Sequence, residues 1–215
     1  MRKQEITIVA EKLGLSKKVT DIYNEIYSLF PPDTGKPELQ YTRRTWIFPQ
    51  HFNIMIKMAS KMCEKYDGNI VICHLAIILH DVGLVYNRTS ASPDGHEDRG
   101  IEYAKEILAK HGYDKEVIVQ IIRCINVTNA EVEPVTINEK IVRTADALSK
   151  FDSCHFIAKA AYSKDIDEYM TWMHKKLKKS YYKICFDDEL KDCETAYKYL
   201  MQAVESYRKQ KEEFS

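Results

Sequence analysis

Glycine and proline are both scarce in this chain, at 7 and 6 of 215 residues. A many-stranded β protein needs frequent tight turns, which those residues supply, so their scarcity argues for long helices instead. Charge of one sign is not in excess either: 32 basic side chains face 32 acidic ones. No long-range field gathers a polyanion, and no nucleic-acid polymer is expected as a partner. A small phosphorylated substrate needs only a few local cations. None of the six cysteines (Cys63, Cys73, Cys124, Cys154, Cys185, Cys193) forms a C-x-x-C pair, which weakens a zinc-ribbon or thioredoxin reading. No apolar run reaches the roughly 18 residues of a membrane span, and no signal-peptide pattern opens the chain. The expectation is a cytoplasmic protein with reduced thiols and no membrane contact.

What is present is helical periodicity. Ile6, Val9 and Leu13 share a face, and Gly14 then ends the helix at a C′ position. Ser16 opens a second helix with Val19, Ile22, Tyr23, Ile26 and Leu29 at helical spacing. A proline-rich stretch, 31–37, separates this N-terminal pair (1–30) from the rest. After Pro49 a helix is expected over 50–66, with His51 in its first turn. The run 70–79 is apolar on nearly every side. A buried parallel strand could look the same, but its ten residues and the lack of a β-α pattern favour a central buried helix. A polar loop follows over 83–95. Helices are then expected over 96–111, 114–127, 138–151 (capped by Asn138), 153–163, 165–179 and 187–209. The whole reads as one all-α domain, a multi-helix bundle around the 70–79 helix, with a core over 46–151 and C-terminal helices over 153–215. The last helix carries an apolar stripe that fits its own domain or, as a homo-oligomer, a second copy.

His80-Asp81 ends the apolar run. A carboxylate there needs compensation, and a divalent metal is one way to provide it. His51 and Asp146 lie on two other predicted helices at the edge of apolar faces. Two imidazoles and two carboxylates suit a six-coordinate Mn²⁺, Fe²⁺, Co²⁺ or Ni²⁺ better than four-coordinate zinc or Mg²⁺. Taken singly, each residue has a plainer role: a surface histidine, a helix cap, a buried hydrogen-bond acceptor.

The order H…HD…D spans 95 residues, from His51 to Asp146. It resembles the HD-domain superfamily of metal-dependent phosphohydrolases. The similarity runs from about Trp46 to Phe151, through the segments LHDVG at 79–83 and TADAL at 144–148. It implies an all-α fold holding one or two divalent metals. It also implies hydrolysis of a phosphate ester or anhydride, often in a nucleotide, by water activated at the metal. His51, His80, Asp81 and Asp146 carry over as metal ligands, with Asp81 also catalytic. His96, in the segment GHEDRG, carries over as a second-metal ligand, or as a catalytic proton donor and phosphate contact, at a helix N-terminus; a surface histidine is the plainer reading.

Two departures stand out. Asn126 takes the place of a further histidine found in two-metal relatives, which favours one metal and makes a second doubtful. Leu84 stands where several subgroups carry lysine after the glycine, so the cation meeting the phosphate must come from elsewhere. Arg43, Arg44, Arg88, Arg99, Arg123 and Lys150 are candidates; Arg99, one turn beyond His96, and Lys150, one turn beyond Asp146, are the best placed. Both departures also leave room for a nucleotide- or metal-binding signalling module with little turnover. The lysines at 175–179 read first as a solvated helix end, and second as a phosphate or lipid contact. His74, His111, His155 and His174 match no motif position.

Overall fold

The computed structural model describes residues 3–31, 44–86, 95–152, 155–160 and 163–214. Most of the proline-rich stretch, Arg43, Arg88, Cys154 and much of the polar loop lie outside them. Among the described residues there is no strand. The helices are α1 (Lys3–Lys12), α2 (Lys17–Leu29), α3 (Arg44–Ile47), α4 (Asn53–Tyr66), α5 (Ile70–Leu79), α6 (His96–Lys110), α7 (Lys115–Asn126), α8 (Ile137–Ser149), α9 (His155–Ala160), α10 (Ile166–Tyr181) and α11 (Asp187–Phe214). The all-α expectation holds.

Helix α5 is the centre, as its uniform hydrophobicity requires: Ile72 through Leu79 are all buried. Asn69 caps it, its side chain accepting from the backbone N–H groups of Val71 and Ile72 at 3.1 and 3.2 Å. Helices α2, α4, α7 and α8 pack around it. The starts of α5 and α8 are tied together, because the Asn138 side chain accepts from the Asn69 N–H at 2.7 Å. Asn138 is thus not the cap of α8. Thr136 caps it two residues earlier, in a reciprocal capping box with Glu139.

The segment that carries His51 departs from a simple helix start. The helix begins at Arg44 and runs through Pro49 as a π-helical turn over Phe48–Phe52, with the Asn53 N–H reaching back to the Phe48 carbonyl. Proline lacks the N–H of a regular ladder, and a wide turn absorbs the defect. Phe48 and Phe52 are thereby buried against Tyr23 and Phe30 in edge-on contacts. Arg44 braces the entry, donating to the carbonyls of Phe30 and Ser28.

The apolar interior falls into two clusters. The larger runs from Ala10 to Ala145 over α1 to α8. The smaller joins Phe156, Tyr169, Met173, Leu177, Met201 and Val204 from α9, α10 and α11. Helix α10 also touches α8, which bridges the two.

One buried group in the large cluster couples the fold to pH. His74, 2 % exposed, donates from Nε2 to the Ser60 hydroxyl at 2.8 Å, because that hydroxyl already donates to the Ile56 carbonyl. Burial pushes its pKa down to about 4. The folded ring stays neutral where the unfolded ring, at about 6.5, takes up a proton. Stability from this group is therefore complete above pH 6.5 and drains as pH falls towards 4. Urea unfolding of the wild type should lose about 2 kcal/mol through His74 between pH 7 and pH 5. A His74→Leu variant should show a pH slope shallower by that amount; an unchanged slope would refute the assignment.

Candidate metal centre

Three elements converge on one point. The π turn delivers His51, the end of α5 delivers His80, and Asp81 follows at the start of a 3₁₀ turn over Val82–Leu84. The 3₁₀ turn lies hard against the first turn of α6. A Cβ at Gly83 would sit 1.7 Å from the His96 carbonyl oxygen, so no other residue fits this approach.

The donor atoms form a tight triangle. His51 Nε2 is 3.2 Å from His80 Nε2. Asp81 Oδ2 is 3.2 Å from His80 Nε2 and 3.7 Å from His51 Nε2. Adjacent vertices of an octahedron with bonds of about 2.1 Å are about 3.0 Å apart, so the triangle fits one face of such a site.

The ring protons are fixed from behind. His80 Nδ1 faces the Ile77 carbonyl at 2.7 Å, an acceptor only, so that nitrogen carries the proton. His51 Nδ1 faces the Ser149 hydroxyl at 3.0 Å, and that hydroxyl donates its own proton to the Asp146 carbonyl at 2.9 Å. Ser149 must therefore accept from His51. Both Nε2 lone pairs then point at each other, beside a carboxylate. With both rings neutral that arrangement is repulsive; a proton on His80 Nε2, shared with Asp81, or a metal ion between the rings relieves it, and bonds of this kind behind the rings are the usual outer support of metal-ligating histidine.

The titration directions agree. Burial, the Lys150 ammonium and the neighbouring ring hold His51 well below the usual imidazole range. Burial also pulls His80 down, but the Asp81 carboxylate overrides it and leaves the ring above its usual value. Burial raises Asp81, and His80 more than reverses this, so the carboxyl lies below its usual range.

Asp146, the fourth expected ligand, stands apart. His51, His80 and Asp81 each offer an atom within 4.8 Å of the others, a set that Asp146 does not join. Its Oδ1 is 3.6 Å from His51 Nε2. Both of its oxygens are held by ammonium groups: Oδ1 by Lys150 at 2.5 Å and Oδ2 by Lys183 at 2.7 Å. Burial alone would raise this carboxyl, but the two lysines hold it well below its usual range. Lys150 is pushed down to about 7 by burial, with Asp146 opposing.

All these groups line one cavity of about 300 Å³, together with Trp46, Ile47, Leu84, His96, Thr128, Asn129, His155, Lys176, Lys179 and Lys183. His96 is among the lining residues. Arg99 is not in the wall; its Nε donates to the Gly83 carbonyl at 3.3 Å and braces the 3₁₀ turn. Arg44 is spent on α2, and Arg123 pairs with Glu139 at 3.0 Å. Asn126 lines a smaller neighbouring cavity with His80 and Asp98. Lys183 and His155 were missed by sequence reasoning. The run 175–179 is divided: Lys175, Lys178 and Lys179 are exposed and Lys176 is half-buried, and of the four Lys176 and Lys179 line the cavity. The spacing of 176 and 179 was the available signal, since positions three apart share one helical face; Lys183 lies in the turn after α10.

Residues 50–150 match the family model of the HD domain. Comparison with curated proteins and with solved structures gave no significant match. Among the described residues, no helix is long and apolar enough to cross a membrane.

Two outcomes follow from the ring geometry. Replacing Ser149 with alanine frees the His51 ring and should weaken Mn²⁺ binding by about ten- to a hundredfold in a calorimetric titration; an unchanged affinity would count against the hydrogen-bond assignment. Mn²⁺ must also displace the proton that a raised His80 holds. Its affinity should therefore climb as pH rises through and beyond 6.5 and then level off, and a pH-independent affinity would contradict it.

Proposed function

We propose, with residues 50–150 an HD domain, that the chain is a metal-dependent phosphohydrolase. Its substrate is a small phosphorylated molecule, a nucleotide being the expected class, cleaved by water at an ester or anhydride phosphorus. The observation that carries this reading is the meeting, in one cavity, of a cation-demanding His51–His80–Asp81 triangle and a wall of lysines. A divalent ion there supplies a Lewis acid that acidifies water and polarises a phosphoryl oxygen; the donor set fits Mn²⁺, Fe²⁺, Co²⁺ or Ni²⁺.

The chain's own residues do the rest. His51 presents a neutral Nε2 atom, His80 does so once metal displaces its proton, and Asp81 adds the negative charge. Lys150 and Lys183 each spend two bonds on the protein: Lys150 on Asp146 alone, Lys183 on Asp146 and the Thr128 carbonyl. An ammonium has three protons, so Lys183 retains one N–H for a phosphoryl oxygen, and so does Lys150 in its protonated form, below about pH 7. His96, opening α6 after Gly95, adds a further donor at the rim. Trp46 and His155, rings 5.7 Å apart, give the same cavity an aromatic wall for a base.

A second reading has its own support. Both Asp146 oxygens are already paired, so a metal would share that ligand with two ammonium groups. A nucleotide-binding module that turns over slowly would look the same. The two are separated by phosphate release from phenyl phosphate and a panel of nucleotides with added Mn²⁺, Co²⁺ or Ni²⁺. The hydrolase should release phosphate, and an Asp81→Ala variant should lose at least about a hundredfold in kcat/KM. Metal and nucleotide bound without product would favour the binding module, and full activity in the variant would overturn the role of Asp81.

A further inference from the structure

We infer that Lys176 and Lys179, in the last turns of α10, and Lys183, in the turn that follows it, seat a second phosphoryl group beside the metal centre, so that the preferred ligand is a diphosphate or longer phosphoanhydride. This rests on the reading above that the cavity takes a phosphorylated small molecule. The first ground is charge. Three ammonium groups line the cavity, Lys176, Lys179 and Lys183, with the Lys150 amine as a fourth donor, against the two carboxylates Asp81 and Asp146. Lys150 and Lys183 are tied to Asp146. Lys176 and Lys179 have no salt bridge or hydrogen bond among the described residues, although Lys176 is half-buried. Bringing an ammonium out of water without an acid partner is costly, and an anionic ligand removes that cost. A bound divalent ion adds further positive charge, more than one phosphomonoester dianion offsets.

The second ground is placement. Lysine near a helix C-terminus has a plainer use, offsetting the carbonyl dipole. Lys178 and Lys179, both exposed, lie in the last turn and can meet that need from solvent; Lys176, half-buried one turn earlier, is not placed for it. Met173 and Leu177 bury the adjoining row of the helix in the small apolar cluster. That packing fixes the rotation of α10 and leaves 176 and 179 towards the cavity, while Lys183, in the turn after the helix, is held there by Asp146 and the Thr128 carbonyl. The third ground is room. About 300 Å³ is the share of about ten waters, more than a single phosphoryl group and one water fill.

The test is calorimetric binding of methylenediphosphonate and of methylphosphonate to the full-length Mn²⁺-loaded protein. The diphosphonate should bind at least about tenfold tighter. Because it also chelates metal, the comparison across variants decides. Lys176→Met with Lys179→Met keeps the stems and removes the charge, and should close most of the gap between the two ligands. Lys176→Arg with Lys179→Arg should keep it. A gap that survives the methionine pair, or methylphosphonate binding as tightly as the diphosphonate, overturns the second seat alone. Neither phosphonate binding, with Mn²⁺ bound, overturns the phosphate reading as well. Phosphate released from phenyl phosphate with no diphosphonate preference would keep the hydrolase and dismiss the seat.

Discussion

The site depends on two imidazole Nε2 atoms forced to face each other. Each ring is fixed by a bond on its far side, His80 to the Ile77 carbonyl and His51 to Ser149. Neither ring can turn its Nδ1 inward without leaving an acceptor unmet or stranding a buried proton. The close approach at 3.2 Å is thus built in by ordinary helix chemistry. One ring is held by its own helix three residues back, the other by a helix 98 residues away in sequence. The fold must bring α8 against the π turn to within hydrogen-bond reach before the second constraint exists. A cation between the rings therefore stabilises the folded arrangement as well as serving chemistry.

Asp146 links this constraint to the rest of the cavity. Its backbone carbonyl takes the Ser149 hydroxyl and the Lys150 ammonium, and its carboxylate takes Lys150 and Lys183. One residue on α8 thus helps to fix the tautomer of His51 and anchors two cations. Lys183 also donates to the Thr128 carbonyl at the end of α7. The buried carboxylate is compensated twice over, which leaves positive charge to spare at the cavity wall. A neutral chain thereby has a locally basic site.

The sequence made the larger architecture legible where one pattern spoke alone. The uniformly apolar run at 70–79 could only be central, and the H…HD…D order named the residues around its end. Legibility failed where two residues distant in sequence decide the outcome. Asn138 has the chemistry of a cap, yet the Asn69 backbone claims its side chain, and Thr136 with Glu139 caps instead. Pro49 reads as a helix start, but a π turn lets the helix pass through it. Arg99 sits one turn from His96, yet the Gly83 carbonyl takes it. Lysine at 175–179 looks like a solvated end until packing of Met173 and Leu177 sets the rotation of α10. Lys183 and His155 carry no motif, and only tertiary placement brings them in.

That placement also explains why the cavity lies where it does. The two apolar clusters are each closed by their own helices, and the residues between them belong to neither. Polar and charged side chains are tolerated there because the seam admits water and ligand. α8 contributes to both sides: Ile141, Val142 and Ala145 face the large cluster, while Lys150 at its end reaches the cavity beneath α10. A relative shift of α10 against α8 would move Lys176 and Lys179 while leaving His51, His80 and Asp81 in place, since those are held by α5, the π turn and Ser149 on α8. The metal triangle is therefore the rigid half of the site and the lysine row the adjustable half. Metal affinity should follow the packing of the first cluster, and discrimination among phosphorylated ligands the packing of the second.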